Sequence, residues 1–328
     1  MSNSHPTPDS NGLPSSPEPP ADGSGADART WSRRGWLGAT AGSAVASTVA
    51  GVWPSQSSGA PMPAPMQEPN ELKGRINHSV VHWCFNPMTV EELAGHAVAM
   101  GIKSVELVAP ENWPMLRKHG LTVAIASSHG FARGWNHREN WDFCREKIES
   151  AINAAADFGC QRVITFSGML DGIDPEEGRL NTIAGLKTVV GLAEQKGITL
   201  CLEVLNTRVA ETMKGHPGYQ ADTAEWAIDV CDEVGSDHLK ILYDVYHQQI
   251  MQGDVISRIH QFKDYIGHYH TAGVPGRREL DDLQEINYPA VMRAIVETGY
   301  EGFVGHEFIP TWEDPVAALR HAVGICDV

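Results

Sequence analysis

The chain has 328 residues, 42% of them apolar and 20% charged, which is enough hydrophobic surface for a large core and unlike a disordered or collagen-like polymer. Basic residues number 25 and acidic residues 41, a formal charge of −16 with no long Lys/Arg cluster. That balance disfavours nucleic acid gripped through its phosphates, and anionic membrane surfaces with it. The six cysteines, Cys84, Cys144, Cys160, Cys201, Cys231 and Cys326, are never closer than 16 residues. This excludes C-x-x-C redox and zinc-ribbon patterns and predicts small core hydrophobes rather than a disulfide scaffold.

Half of residues 1–30 are Pro, Gly or Ser, six, three and six respectively, a stretch too poor in apolar surface to fold. Next comes Ser32-Arg33-Arg34-Gly35-Trp36-Leu37, followed by a run to Gln67 without charge, rich in small residues from Gly38 to Gly51. The pattern resembles a twin-arginine export signal, which implies export machinery as a partner and a destination in the periplasm or cell envelope. Residues 35–53 are alternatively a membrane anchor, although their many Gly, Ser and Thr make a weak span. Residues 1–67 are therefore expected to be a leader, and residues 68–328 a single catalytic domain.

From Arg75 onward, short β-branched or apolar runs alternate with longer segments of helical period. Strands are predicted at Ile76–Trp83, Ser104–Val108, Leu121–Ala126, Arg162–Phe166, Thr199–Val204, Leu239–Tyr243, Ile266–His270 and Gly302–Gly305. Helices are predicted at Val90–Met100, Trp141–Phe158, Glu177–Gln195, Thr223–Val234, Val255–Phe262, Tyr288–Glu297 and Val316–Ile325. A further helix over Glu111–His119 has Pro114 inside it, which is tolerable only near a helix start. Eight such units in one chain predict an α/β fold of the (β/α)8 TIM barrel type. An open doubly wound sheet is the other candidate, but no Gly-rich phosphate loop follows any strand.

Barrel chemistry gathers at the C-terminal ends of strands. The last four predicted strands close on Glu203, Asp244, His270 and Glu307, at steps of 41, 26 and 37 residues. Each step is about one βα unit, so neighbouring strands deliver one polar head each to the same mouth. Taken singly, such an Asp or Glu is often a helix cap or an ion-pair partner, and such a His a hydrogen-bonded lining residue. Together they point to a divalent metal, because three converging carboxylates repel one another without a cation. One imidazole and three carboxylates, without thiolate, favour Mn²⁺ or Mg²⁺ and leave Co²⁺, Fe²⁺ or Zn²⁺ open.

At these residues the chain resembles the hydroxypyruvate isomerase branch of the xylose-isomerase-like barrels. The resemblance is carried by Glu203-Val204-Leu205-Asn206-Thr207-Arg208, Tyr243-Asp244-Val245-Tyr246-His247-Gln248, Gly273-Val274-Pro275-Gly276-Arg277, Glu285-Ile286-Asn287-Tyr288-Pro289 and Gly299 through Glu307. It implies metal ligation by Glu203, Asp244, His270 and Glu307, an acid/base role for Glu203 and Glu307, and substrate contact by His247 and Arg277. Hydroxypyruvate isomerases often carry Gln where His270 stands, whereas the related ketose 3-epimerases carry His.

The implied reaction moves a proton between adjacent carbons of a small carbohydrate-like hydroxy-carbonyl compound, as in hydroxypyruvate and tartronate semialdehyde. A ketose or polyol 3-epimerase would use the same groups on a longer substrate. A multi-zinc apurinic endonuclease would need an Asp-x-His pair that Val274–Leu283 lacks. A metal-ordered binding protein would hold the ion without chemistry. The sequence leaves homo-oligomerisation open. His82, His129, Trp83/Phe85 and Phe131/Trp135 are candidate pocket residues. His268, alternating with His270, is expected to share its barrel face and support it.

Overall fold

The computed structural model describes residues 72–328. The expected leader, with its paired arginines and the 35–53 segment, lies outside the described residues. Among those described, no helix is long and apolar enough to cross a membrane.

Seven parallel strands form one curled sheet: β1 (Asn77–Val81), β2 (Ser104–Glu106), β3 (Arg162–Thr165), β4 (Thr199–Glu203), β5 (Leu239–Asp244), β6 (Ile266–Thr271) and β7 (Phe303–His306). Their order is β2-β1-β7-β6-β5-β4-β3, so β2 and β3 are the two edges. The predicted strand Leu121–Ala126 lies between those edges, bridging Ser104 to Thr122 on one side and Ala126 to Val163 on the other. It closes the cylinder, but not as a regular strand. The Ala124 N–H donates to Ser104 Oγ at 2.8 Å instead of to a backbone carbonyl, and this substitution interrupts the ladder. The eighth stave is thus present in place and broken in form.

Around the sheet run α1 (Val90–Ala99), α2 (Trp113–Lys118), α3 (Trp141–Phe158), α4 (Pro175–Leu186), α5 (Val190–Lys196), α6 (Ala224–Val234), α7 (Val245–Met251), α8 (Val255–Phe262), α9 (Tyr288–Glu297) and α10 (Pro315–Cys326). Local chemistry sets their starts. Thr89 and Glu92 form a reciprocal capping box on α1, while Asp174 and Asp314 cap α4 and α10 ahead of a proline at the first helical position. The exits of α3 and α6 fall on Gly159 and Gly235, with φ of 92° and 76°, a conformation that glycine adopts without steric cost. Two expectations need correction. The single helix Glu177–Gln195 is divided at Lys187–Val189 into α4 and α5, and α7 follows β5 with no loop, where sequence periodicity had indicated none.

Packing places the site. The main core lies between sheet and helices and takes in Val80, Leu93, Ile148, Leu200, Val230, Ile259 and Leu319. A smaller apolar cluster inside the cylinder includes Ile125, Ile164, Phe166, Leu205 and Leu242. All six cysteines are buried and free. The polar residues that remain inside the cylinder stand in register on β1, β2 and β5–β7, where Asp244 pairs with His270 and His270 with Gly305.

Candidate active site

Asp244 shows how one side chain serves two purposes. It ends β5 and begins α7, and its Oδ1 accepts the Tyr246 N–H at 2.8 Å as a helix cap. The second oxygen, Oδ2, is buried and has no hydrogen-bond partner. It faces inward. Glu203 ends β4, His270 lies one residue before the end of β6, and Glu307 follows β7, its N–H donating to Thr271 O at 2.9 Å. One potential ligand atom from each of Glu203, Asp244, His270 and Glu307 lies within 4.8 Å of the others, and all four residues are buried. The structure therefore brings together the four residues that the strand spacing singled out.

The contacts among them are close and incompletely satisfied. His270 Nδ1 stands 2.8 Å from Glu307 Oε2 and 3.8 Å from Glu203 Oε1, yet it has no hydrogen bond of acceptable geometry. Two orphaned buried atoms, His270 Nδ1 and Asp244 Oδ2, aimed at the same point, would each carry a desolvation cost that a metal ion removes. Without the ion, burial pushes Asp244 up to about 7 and raises Glu203. Burial opposes ionisation of Glu307 too, but Arg277 and His270 outweigh it and hold that carboxyl well below its usual range. For His270, burial is overcome by Glu307 and the neighbouring carboxylates, which raise it. The residues fit a divalent metal by donor type, convergence and unmet bonding.

Glu203 and Glu307 differ in how they are held. Glu307 is pinned on both oxygens, by Trp83 Nε1 at 3.1 Å and Arg277 Nη2 at 2.7 Å. No hydrogen bond among the described residues restrains the carboxylate of Glu203 comparably. Arg277 is only 2% exposed, follows Gly276 in the loop after β6, and itself adopts φ 54°, uncommon for a residue with a side chain. Its Nη1 donates to Met213 O at 2.6 Å, and its Nε has no partner. His247, in α7, accepts the Asn206 N–H on Nδ1 at 3.0 Å, which places its proton on Nε2, 3.6 Å from Asp244 Oδ2. Burial and the charge of Arg277 keep this imidazole neutral.

A cavity of about 260 Å³ opens above these groups. Glu203, Glu307 and Arg277 line it together with Trp83, His129, Phe131 and His216, and Leu107, Ile164, Phe166, Leu205 and Met213 make much of the wall. His247 is not among its lining residues. The aromatic pairs divide: Trp83 and Phe131 face the cavity, whereas Phe85 and Trp135 belong to the core. His129 lines the cavity and is also held by Thr165 Oγ1 and Arg133 O, while His82 turns to Met88 O at 2.8 Å.

Sequence reasoning missed two residues. His216 was not singled out, because it lies in a long loop without periodic pattern. Glu106 stands in the middle of a predicted strand, where the only legible signal is a carboxylate alternating with Ser104 on one face of β2. Its carboxylate meets both His268 and His270, and His268 has the supporting position expected of it.

The sequence matches the family described as Xylose isomerase-like TIM barrel over residues 96–325. The chain is 32% identical over 171 residues to a human protein named putative hydroxypyruvate isomerase, covering 51% of this chain and 60% of the human one. It is also 32% identical over 229 residues to the 2-oxo-tetronate isomerase of Cupriavidus necator, covering 65% of this chain and 85% of that protein. Among solved structures, one described as an AP endonuclease of family 2 from Brucella melitensis superposes with a TM-score of 0.65 at 25% identity, covering 74% of this chain and 97% of that one. The chain belongs to the Xylose isomerase-like TIM barrel family, on the branch of proteins named hydroxypyruvate isomerase and 2-oxo-tetronate isomerase.

Proposed function

We propose that the protein is a metal-dependent isomerase of small sugar acids, moving a proton between adjacent carbons of a hydroxy-carbonyl compound. Hydroxypyruvate to tartronate semialdehyde is the simplest case. The observation that carries this reading is the convergence of Glu203, Asp244, His270 and Glu307 beneath a cavity that two of those carboxylates line. Their names as isomerases bring the two sequence relatives into agreement with it.

A divalent cation held by those four residues would supply Lewis-acid stabilisation of negative charge developing on substrate oxygens. The protein's own groups do the rest. Glu203 and Glu307 flank the substrate position, one to take a proton from carbon and the other to return one. Glu307 is fixed in direction by Trp83 and Arg277, while Glu203 is free to approach the cavity. Arg277 supplies the positive charge that faces a substrate carboxylate, and the apolar wall excludes water from the carbanion-like state. His247, neutral with its proton on Nε2, keeps an unpartnered donor near Asp244 at the base of the site.

A ketose or polyol 3-epimerase is the second reading, supported by His270 and by a cavity with room for more than three carbons. The endonuclease description belongs to the Brucella structure. This chain has no Asp-x-His in Val274–Leu283, and its charge of −16 opposes a phosphate-gripping surface. Export by a twin-arginine route is inferred from Arg33-Arg34 and the uncharged, small-residue run that follows, and fractionation with sequencing of the mature N-terminus tests it.

The functional test incubates the metal-loaded protein with short hydroxy acids, aldoses and ketoses in deuterium oxide. Deuterium entering the carbon next to the carbonyl, with isomer formed, supports the isomerase. Label with inversion at C3 of a ketose selects the epimerase. Tight metal binding without exchange into any compound leaves the binding-protein reading instead.

A further inference from the structure

Below the four converging residues lies a second buried polar group that the reaction does not touch. Glu106 on β2 is fully buried and makes three hydrogen bonds. Its Oε1 accepts from His270 Nε2 at 2.9 Å and from His268 Nε2 at 3.1 Å, and its Oε2 accepts from Ser79 Oγ at 2.7 Å. The backbone opposite leaves room for this. A Cβ on Gly305 would stand 2.0 Å from Glu106 Oε1 and 2.9 Å from His270 Cδ2, so any larger residue there displaces the carboxylate, the imidazole or both. Carboxylate, two imidazoles, hydroxyl and glycine come from β1, β2, β6 and β7, far apart in the chain.

We propose that Glu106 is a positioning residue for the metal centre. It holds the proton of His270 on Nε2, turns the Nδ1 lone pair toward Glu203, Asp244 and Glu307, and is itself oriented by Ser79 and seated by Gly305. This inference rests on the metal-centre reading above and adds how the one neutral ligand is aimed. An imidazole has two nitrogens and can carry its proton on either. A carboxylate fixed on one nitrogen decides which is offered to a cation and makes that nitrogen a stronger donor. His268 shares the same oxygen and braces it from the layer below. Because Glu106 is shut off from the cavity, its influence runs only through His270.

The experiment compares the full-length protein with E106Q, E106L and G305A. Readouts are Mn²⁺ affinity and stoichiometry by competition with a chelator, and the ¹⁵N shifts of His270 in protein loaded with diamagnetic Zn²⁺, which report its tautomer. Thermal unfolding checks that each variant folds. Wild type is expected to bind one Mn²⁺ per chain with the His270 proton on Nε2. Gln keeps an acceptor but not the charge, so E106Q retains that tautomer and weakens binding about tenfold. E106L and G305A are expected to lose the tautomer and weaken binding toward a hundredfold. Should E106L fail to fold, E106Q and G305A decide the question.

Affinities within twofold of wild type, with His270 unchanged, overturn the inference and leave the metal centre standing. Two ions per chain, the second lost in E106Q, overturn it in favour of a second metal site at Glu106 and His268. A wild type that binds no divalent ion fails at the metal-centre reading itself and takes this inference with it.

Discussion

Arg277 Nη2 donates to Glu307 Oε2 at 2.7 Å, and neither side chain is more than 5% exposed. This buried pair gives the two candidate acid/base residues opposite relations to stability. Glu307 is a required counter-charge, whereas Glu203 is a carboxylate that burial makes reluctant to ionise. In metal-free protein, Glu307→Leu strands Arg277 and should cost about 3–5 kcal/mol. Glu203→Gln removes an ionisable group from a dry site and should leave stability unchanged or higher at neutral pH, since a raised folded pKa withdraws stability above the unfolded value. Urea unfolding of both variants after metal removal checks this. Equal losses in the two would contradict it.

With metal bound, the same residues should behave alike in chemistry. Glu203→Gln and Glu307→Gln are each expected to lower deuterium exchange by about 10²–10⁴-fold, the usual scale for a general acid or base, with the far-ultraviolet spectrum unchanged. Full activity in both would remove the proposed acid/base pair.

Trp83 offers a gentler probe. Its Nε1 donates to Glu307 Oε1 at 3.1 Å while its ring walls the cavity. Trp83→Phe keeps most of the wall and loses the bond. A hydrogen bond to a charged acceptor contributes about 1.5–3 kcal/mol to stability, so the melting temperature should fall by several degrees, and turnover should fall as well because Glu307 loses one of the two bonds that fix its direction. Steady-state kinetics with the substrate found by exchange would show it.

Metal affinity should depend on pH in a definite direction. In the metal-free protein Asp244 is pushed up to about 7 by burial, and His270 is raised by its carboxylate neighbours against burial. A cation needs both unprotonated, so binding releases their protons and affinity rises with pH. The rise is steepest below about 7, where both protons must leave, and continues more gently above it until His270 is neutral. Calorimetry in buffers of different ionisation enthalpy counts the protons. Affinity that stays flat across the neutral range would refute the coupling.

Removing the ion has its own consequence for folding. Free metal at 100 times its dissociation constant stabilises a protein that binds it only when folded by about 2.7 kcal/mol. Chelation should lower the melting temperature by several degrees, and Asp244→Asn, which keeps the helix cap but loses the charge, should abolish that metal-dependent increment. A melting temperature indifferent to chelation in wild type would count against the site.

Much of this was legible beforehand. Asp244, His270 and Glu307 follow β-rich runs at barrel spacing, and the physics of converging carboxylates needs no coordinates. What could not be read is where two roles share one side chain. Asp244 is a helix cap by one oxygen and a candidate ligand by the other, and a sequence shows no division between oxygens. The broken stave was equally hidden, because Leu121–Ala126 has ordinary strand composition and its ladder is interrupted by a hydroxyl from Ser104. Glu106 was visible as a letter but not as a contact, since its two histidine partners are 162 and 164 residues away.

The four converging side chains come from β4 through β7, adjacent staves on one half of the cylinder. Much of the surface that a bound molecule would meet, from Trp83 and Leu107 to Ser127–Phe131, comes from the other half, next to the irregular stave. Trp83, bonded to Glu307, ties that wall to the converging residues, but Leu107 and Ser127–Phe131 make no hydrogen bond to them. Those positions can be redrafted for a new carbon skeleton while the four side chains keep their places, which gives evolution, or an engineer, a place to start.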